Sequence, residues 1–309
     1  MPLTIVMYHY VRNLSRTRYP AIKARDVVTF QRQLDHIGRY YTVVTAEQII
    51  DAVGQGDPLP ENAAWLTFDD GYSDHYSVVF PLLHARGWQG SFFPPVRAVR
   101  DGELLDVNRI HFVLAVSSDY GAVIDRIRTF VHDHQGCTAM RSFAEYWAEL
   151  ARPSRMDPAD VVFIKQVLQQ GLPEVQRNEL ARELFERIVA VDPSTFAAEL
   201  YMTPDQLRTM IRCGMYVGGH GADHVWLDRL NSDAQVREID SSLAFLRDIG
   251  ARTNDWVMCY PYGVYNENLL RLLRSRGCAI GLTTEVAVAR PGVDDPLLFP
   301  RLDTNDLPA

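Results

Sequence analysis

Ala64-Trp65-Leu66-Thr67-Phe68-Asp69-Asp70-Gly71-Tyr72 changes character in its middle. Ala64–Phe68 is a short, mostly apolar run that reads as a buried strand, and it stops abruptly on two carboxylates and a glycine. A helical segment follows as far as Gly87 despite Pro81, and Gly90–Phe93 reads as the next strand. Strand, helix and strand in that order make a parallel βα unit. Carboxylates at the end of its first strand therefore lie on the edge where α/β folds place functional groups. Consecutive residues there point in different directions, so one carboxylate can bind a metal while the other faces its bound water. Alone, an Asp-Asp pair is more often a turn or a helix cap.

The same alternation extends to both sides. Upstream, Thr4–Tyr8 reads as a buried strand. Thr29-Phe30 opens a helix with Leu34 and Ile37 on one face, and Tyr41–Val44 is a further strand. Thr45 and Gln48 form a capping box for a helix ending near Gly54. Downstream, Tyr216–Gly219, Trp256–Cys259 and Ala279–Leu282 read as strands, with helices over Ser232–Ile249 and Asn266–Arg276 between them. Ser232 and Gln235 read as a second capping box, Val236, Ile239, Leu243, Leu246 and Ile249 form the apolar stripe, and Gly250 suits the left-handed C-terminal position. Strands alternating with helices imply a barrel or a doubly wound sheet.

Residues 105–201 break this pattern. They carry helical patterns over Ala122–Val131, Arg141–Ala151, Pro158–Gln169 and Glu174–Val191, with Asp157-Pro158 as a helix start, and no convincing strand. The expected organisation is an α/β domain made of residues 1–104 and 202–309, interrupted by a helical insertion at 105–201. A lid, a substrate-specificity element, a surface for homo-oligomer formation, or packing alone are the roles open to it.

With 309 residues and 47% hydrophobic content the chain can bury a large core. A net charge of −8 with no concentration of Lys and Arg argues against nucleic acid as a partner. No apolar run approaches the ~20 residues that span a bilayer. The sequence starting at Met1 shows no basic leader or small-residue cleavage site, so the expected location is cytoplasmic. Cys137, Cys213, Cys259 and Cys278 contain no CxxC pair and are expected to be buried thiols.

Two further stretches bear on chemistry. In Val217-Gly218-Gly219-His220-Gly221-Ala222-Asp223-His224, two imidazoles at H-x3-H spacing begin where a strand ends, among glycines that permit close backbone approach. Two neutral imidazoles plus a carboxylate are a divalent-metal set with positions left for water and substrate. Cys259-Tyr260-Pro261-Tyr262-Gly263 follows another strand as a tight turn, which is either a plain connection or a means of aiming a backbone N–H at a developing oxyanion.

Taken together, TFDDGY, HGADH and YPYG resemble, in order and context, the motifs of the NodB-type polysaccharide deacetylases, carbohydrate esterase family four. The resemblance covers the chain outside the helical insertion. It implies a distorted (β/α) barrel with fewer strands than the eight of a complete TIM barrel. It further implies Asp69 as general base, Asp70, His220 and His224 as metal ligands, and the Tyr262 amide as oxyanion donor. The implied cofactor is a divalent ion, zinc by default, with cobalt, nickel or manganese as alternatives. The implied reaction is hydrolysis of an N-acyl group, N-acetyl first, on an amino sugar or glycan precursor of surface-polysaccharide metabolism.

The sequence also departs from that pattern. Where the family carries Arg two residues before the third-motif Pro, this chain has Cys259, and Arg301 in Phe299-Pro300-Arg301-Leu302-Asp303 is the candidate replacement. The family's late Leu-x-His is missing, since no His follows His224. His9, in Tyr8-His9-Tyr10 at the end of the first strand, is the candidate acid; N-terminal YH motifs occur in one branch of the family. The late Asp-x-x-Asp-Trp pattern is missing too. The alternatives are a formamide, ureide or cyclic-imide hydrolase on the same fold, and a non-catalytic glycan-binding relative. His75 is expected to cap or pack its helix, and His132 and His134 to be solvated.

Overall fold

The computed structural model describes residues 1–136 and 139–308. Leu3–Tyr8 (β1) runs parallel to Ala63–Asp69 (β2), in register from Leu3 opposite Ala63 to Tyr8 opposite Phe68. Ser91–Phe93 (β3) continues on the other side of β2, and Tyr216–Val217 (β4) pairs with β3. Trp256–Cys259 (β5) pairs with Cys278–Leu282 (β6), and Leu302–Asp303 (β7) returns to lie beside β1. Two single parallel bridges join these pieces: Gly219 opposite Met258, and Leu282 opposite Phe299. Through these two bridges the ring β1 to β7 closes on itself. It is a distorted (β/α) barrel, as the sequence implied. Because all these strands are parallel, their C-terminal ends share one rim.

The interior is filled by Leu3, Ile5, Trp65, Phe93, Tyr216, Val257, Ile280, Leu282 and Phe299, all buried. At the β4 end the fit is tight. A Cβ on Gly218 would lie 2.6 Å from the Phe93 ring and 2.7 Å from the Val257 carbonyl oxygen, so only glycine lets β4 approach β3 and β5 together.

Around the barrel lie helices Val27–Tyr40, capped by Asp26, and Ala46–Gln55, with the Thr45–Gln48 capping box formed. Helices Ser232–Asp248 and Glu267–Ser275 lie further along the chain. The Ser232 helix is capped one residue earlier than expected, because the Asn231 side chain accepts from the Ala234 amide. Among the described residues, helices Val96–Arg100, Asp106–Val116, Pro193–Leu200 and Pro204–Arg212 escaped the sequence reading. Asp106–Val116 is buried on most sides and so lacks a one-sided stripe; Pro204–Arg212 carries a capping box of its own, Thr203 with Gln206.

The chain divides into two compact units, residues 1–13, 24–103 and 197–309, and residues 14–23 with 104–196. The helical unit thus includes Leu14–Lys23, which the sequence reading left with the barrel, and it ends at Phe196 rather than Tyr201. Within it the Tyr19 ring meets Phe112 and Phe196 edge-on, with centroids 5.0 and 5.6 Å away, and Lys23 pairs with Asp157. His132 is exposed as expected, whereas the His134 ring stacks on Phe130 and bonds its carbonyl, so that histidine is a packed helix end. Cys259 and Cys278 are buried; Cys213, at the end of the Pro204–Arg212 helix, is exposed, contrary to expectation, and Cys137 lies outside the described residues. Among the described residues no helix is long and apolar enough to cross a membrane.

Candidate active site

Asp70 follows directly on β2. Its amide still bonds the Phe93 carbonyl as the ladder would (3.0 Å), but its φ is 72°, and Gly71 continues in the left-handed region at 68°. A left-handed Asp is uncommon and costs about 1 kcal/mol or more. Here it turns Asp70 out of the extended course of a strand that is buried on both faces, and Asp69 and Asp70 are both buried. The Tyr72 hydroxyl donates to Asp70 Oδ2 at 2.6 Å, and the Tyr72 ring stacks on Tyr10.

The other carboxylate oxygen, Asp70 Oδ1, faces both histidines at 3.2 Å: His220 Nε2 and His224 Nε2. His220 Nδ1 lies 2.7 Å from the Cys259 carbonyl oxygen, which can only accept, so the proton of the neutral ring sits on Nδ1 and the Nε2 lone pair points at Asp70. Oδ1 opposite two imidazole nitrogens calls for a cation among them, or a proton on one ring. Burial opposes charge on both rings. On His220 the Cys259 and Asp70 contacts overcome it and the pKa lies well above the ordinary histidine value, whereas His224 stays below it. The ligand atoms of Asp70, His220 and His224 lie within 4.8 Å of one another. The donor set, the fixed tautomer and the convergence all fit a divalent metal ion.

Asp69 lies beside this set. Arg301 grips it with two nitrogens, at 3.0 Å from Oδ1 and 2.8 Å from Oδ2. Two further bonds run from Arg301 Nε to the Thr283 carbonyl (2.8 Å) and from Nη1 to the Thr67 hydroxyl (3.2 Å). Asp69 is 2% and Arg301 1% exposed. Burial alone would raise the Asp69 pKa, but Arg301, with His9 and His220, outweighs it and holds the carboxyl below its ordinary range. Cys259 is buried against the same cluster, where the sequence comparison anticipated an arginine.

His9 Nε2 is 3.9 Å from Asp69 Oδ2, with the side chain 40% exposed. His75 is packed, as expected, but with a specific contact: its Nε2 donates to the His9 carbonyl at 2.8 Å. Burial lowers its pKa to about 4, so it stays neutral while fixing the backbone that carries His9. Tyr262 has φ 59° in the turn after β5, and its ring meets the His224 ring at 4.8 Å and stacks on Trp226 at 4.7 Å. All the site residues singled out in the sequence therefore gather on one barrel rim. Tyr72 and Trp226 had no assigned part, although Tyr72 stands inside the TFDDGY stretch, and His75 had only a packing one.

A closed parallel barrel with this rim defines a NodB-type fold. The sequence profile of the polysaccharide deacetylase family matches residues 177–281, a stretch that includes His220, His224 and Tyr262. A poly-beta-1,6-N-acetyl-D-glucosamine N-deacetylase of Escherichia coli (strain K12) is 48% identical over 54 residues, 18% of this chain and 8% of that protein. The matched stretch thus spans under a tenth of the curated relative. Among solved structures, a Streptococcus pyogenes deacetylase in complex with acetate superposes with TM-score 0.59 and 16% identity, covering 98% of this chain and 92% of the other. IcaB from Ammonifex degensii gives TM-score 0.56 and 20% identity, covering 99% and 93%. At these identities the structural likeness speaks for the fold.

Proposed function

We propose that this chain is a metal-dependent hydrolase that removes an N-acetyl group from an amino sugar within a glycan or glycan precursor. The observation that carries the reading is the adjacency of two differently built carboxylates: Asp70 turned onto two imidazoles, and Asp69 held ionised by Arg301. A divalent ion held by Asp70, His220 and His224, zinc first, would supply an acidified water and a Lewis acid for the acyl oxygen.

In this reading Asp69, ionised at neutral pH and beside the ligand set, takes the proton of the attacking water. The Tyr262 amide donates to the oxyanion, its left-handed backbone supplying the turn that aims it. His9, partly open to solvent, delivers a proton to the leaving amine. Conversion of the acetamide to acetate and free amine is balanced by one water. The substrate named for the Escherichia coli relative makes a β-1,6-linked N-acetylglucosamine oligomer the first candidate, with nucleotide- and lipid-linked precursors beside it.

The test is acyl release by the zinc-loaded chain from a panel of acetylated sugars, formamides, ureides and cyclic imides, with Asp69→Asn as control. Acetate release from amino sugars that Asp69→Asn abolishes supports the reading. Faster turnover of formamides, ureides or cyclic imides would move the chain to another C–N hydrolase class, and stoichiometric zinc with no turnover at all would make it a binding relative.

A further inference from the structure

The loop between His220 and His224 is tied down from two directions. On one side the amides of Val96 and Arg97 donate to the carbonyls of Gly221 (3.3 Å) and Ala222 (3.0 Å). On the other, Glu238 Oε2 accepts from the amides of Ala222 (2.7 Å) and Asp223 (3.1 Å). Glu238 projects from the Ser232–Asp248 helix and is 7% exposed. A carboxylate is costly to bury, and this one is satisfied by backbone N–H groups of the loop. Space for it comes from Gly221, at φ 72°, where a Cβ would stand 3.0 Å from Glu238 Oε2. Gly221, Ala222 and Asp223 are the whole connection between His220 and His224. A loop free to relax there would let the two imidazoles drift apart.

We propose that Glu238 is a positioning residue for the metal site: by accepting the Ala222 and Asp223 amides it holds His220 and His224 at ligand spacing in the metal-free protein. The inference rests on the reading of Asp70, His220 and His224 as metal ligands. It assigns Glu238 no contact with substrate or metal. Outer-shell partners of this kind typically alter metal affinity by ~10- to 100-fold.

The experiment is calorimetric titration of zinc alone into the metal-free full chain and its Glu238→Ala, Glu238→Gln and Glu238→Asp variants, with thermal melts of each metal-free protein. Glu238→Ala should bind zinc at least about tenfold more weakly. Glu238→Gln, whose amide oxygen can accept the same two N–H groups, should bind close to the parent. Glu238→Asp, one methylene too short, should resemble Glu238→Ala. Should Glu238→Ala fail to fold, the Gln and Asp variants decide the matter. Parent affinity in both Glu238→Ala and Glu238→Asp, or a Glu238→Gln as weak as Glu238→Asp, overturns the proposal and leaves the ligand set standing. A parent chain that binds no zinc overturns the ligand set itself.

Discussion

Asp69 and His9 face each other across 3.9 Å, yet one belongs to the buried floor of the site and the other to its open side. On the floor, Asp69, Asp70 and Arg301 are almost fully enclosed, and their charged atoms are met by fixed partners: the Arg301 fork on Asp69, and Tyr72, His220 and His224 on Asp70. On the open side, His9 keeps 40% of its side chain exposed and is fixed chiefly through its backbone, by His75. Low dielectric makes the floor's interactions strong and their loss costly, because a deleted partner leaves a buried charge behind. A group that must meet substrate cannot be held that way. Substitutions on the floor should therefore reach beyond rate, into charge state, metal or fold according to the partner removed, and those on the open side should change rate alone.

The largest expected effect falls on turnover at the floor. Asp69→Asn keeps the shape and most of the hydrogen bonding but cannot accept a proton, so kcat should fall on the order of 10,000-fold. Zinc stoichiometry by elemental analysis should stay at the parent value, because Asp70, His220 and His224 are untouched.

Arg301→Met tests whether the floor's charges depend on one another. Removing one partner of a buried ion pair typically costs about 3–5 kcal/mol, so the variant should melt in urea at clearly lower concentration. The pH dependence should also change sign. With Arg301 present the folded Asp69 pKa lies below its unfolded value, so its contribution to stability is full above the ordinary aspartate range and is lost as pH falls through the depressed value. Without Arg301, burial dominates and the folded pKa rises above the ordinary range. The variant should then be relatively more stable in acid and lose stability as pH rises. Urea melts at roughly pH 4 and pH 7 would show it, since that interval lies on the basic side of an unperturbed aspartate. Parallel curves for parent and variant would mean that Asp69 is not held ionised by this pair.

On the open side, His9→Gln should lower kcat by about 100-fold, in the range of one positioned proton donor. Zinc affinity and urea midpoint should stay where they are. A matching loss of zinc would break the division drawn between floor and rim, because it would make His9 part of the metal's support.

The division also accounts for what the sequence made legible. Asp69, Asp70, His220 and His224 stand out because each pair is local, at a strand end beside glycine. Arg301 and His9 carry no such signal. They reach Asp69 because β7 lies beside β1 and β1 beside β2, and that long-range pairing leaves no mark in a short window. Cys259 advertised a gap at one position in the chain, and the compensating charge came from a residue 42 positions later in sequence, 301 − 259. Glu238 was hidden differently: it lies one residue before Ile239, outside the apolar stripe read for that helix. The Asn231 cap was missed for a milder reason, since Asn231 and Ser232 are both good caps and only geometry chooses between them.

The smallest effect belongs to the hydroxyl that closes the floor. Tyr72→Phe removes the 2.6 Å bond to Asp70 Oδ2 but keeps the ring that stacks on Tyr10, 3.9 Å between centroids. Burial raises the Tyr72 pKa well above the ordinary tyrosine value, so the hydroxyl stays protonated and donates across the working pH range. A hydrogen bond to a charged group contributes about 1.5–3 kcal/mol, and part of that loss should be recovered by Asp70 interacting more strongly with a bound cation. The expected outcome is a fall of about tenfold or less in zinc affinity, at the low end of what outer-shell partners contribute. Because the same bond is present without metal, the metal-free urea midpoint should drop as well, by less than in Arg301→Met. An unchanged midpoint with weakened zinc binding would mean that the hydroxyl matters only once a cation draws Asp70 into place, and that the floor is less preformed than its hydrogen bonds indicate.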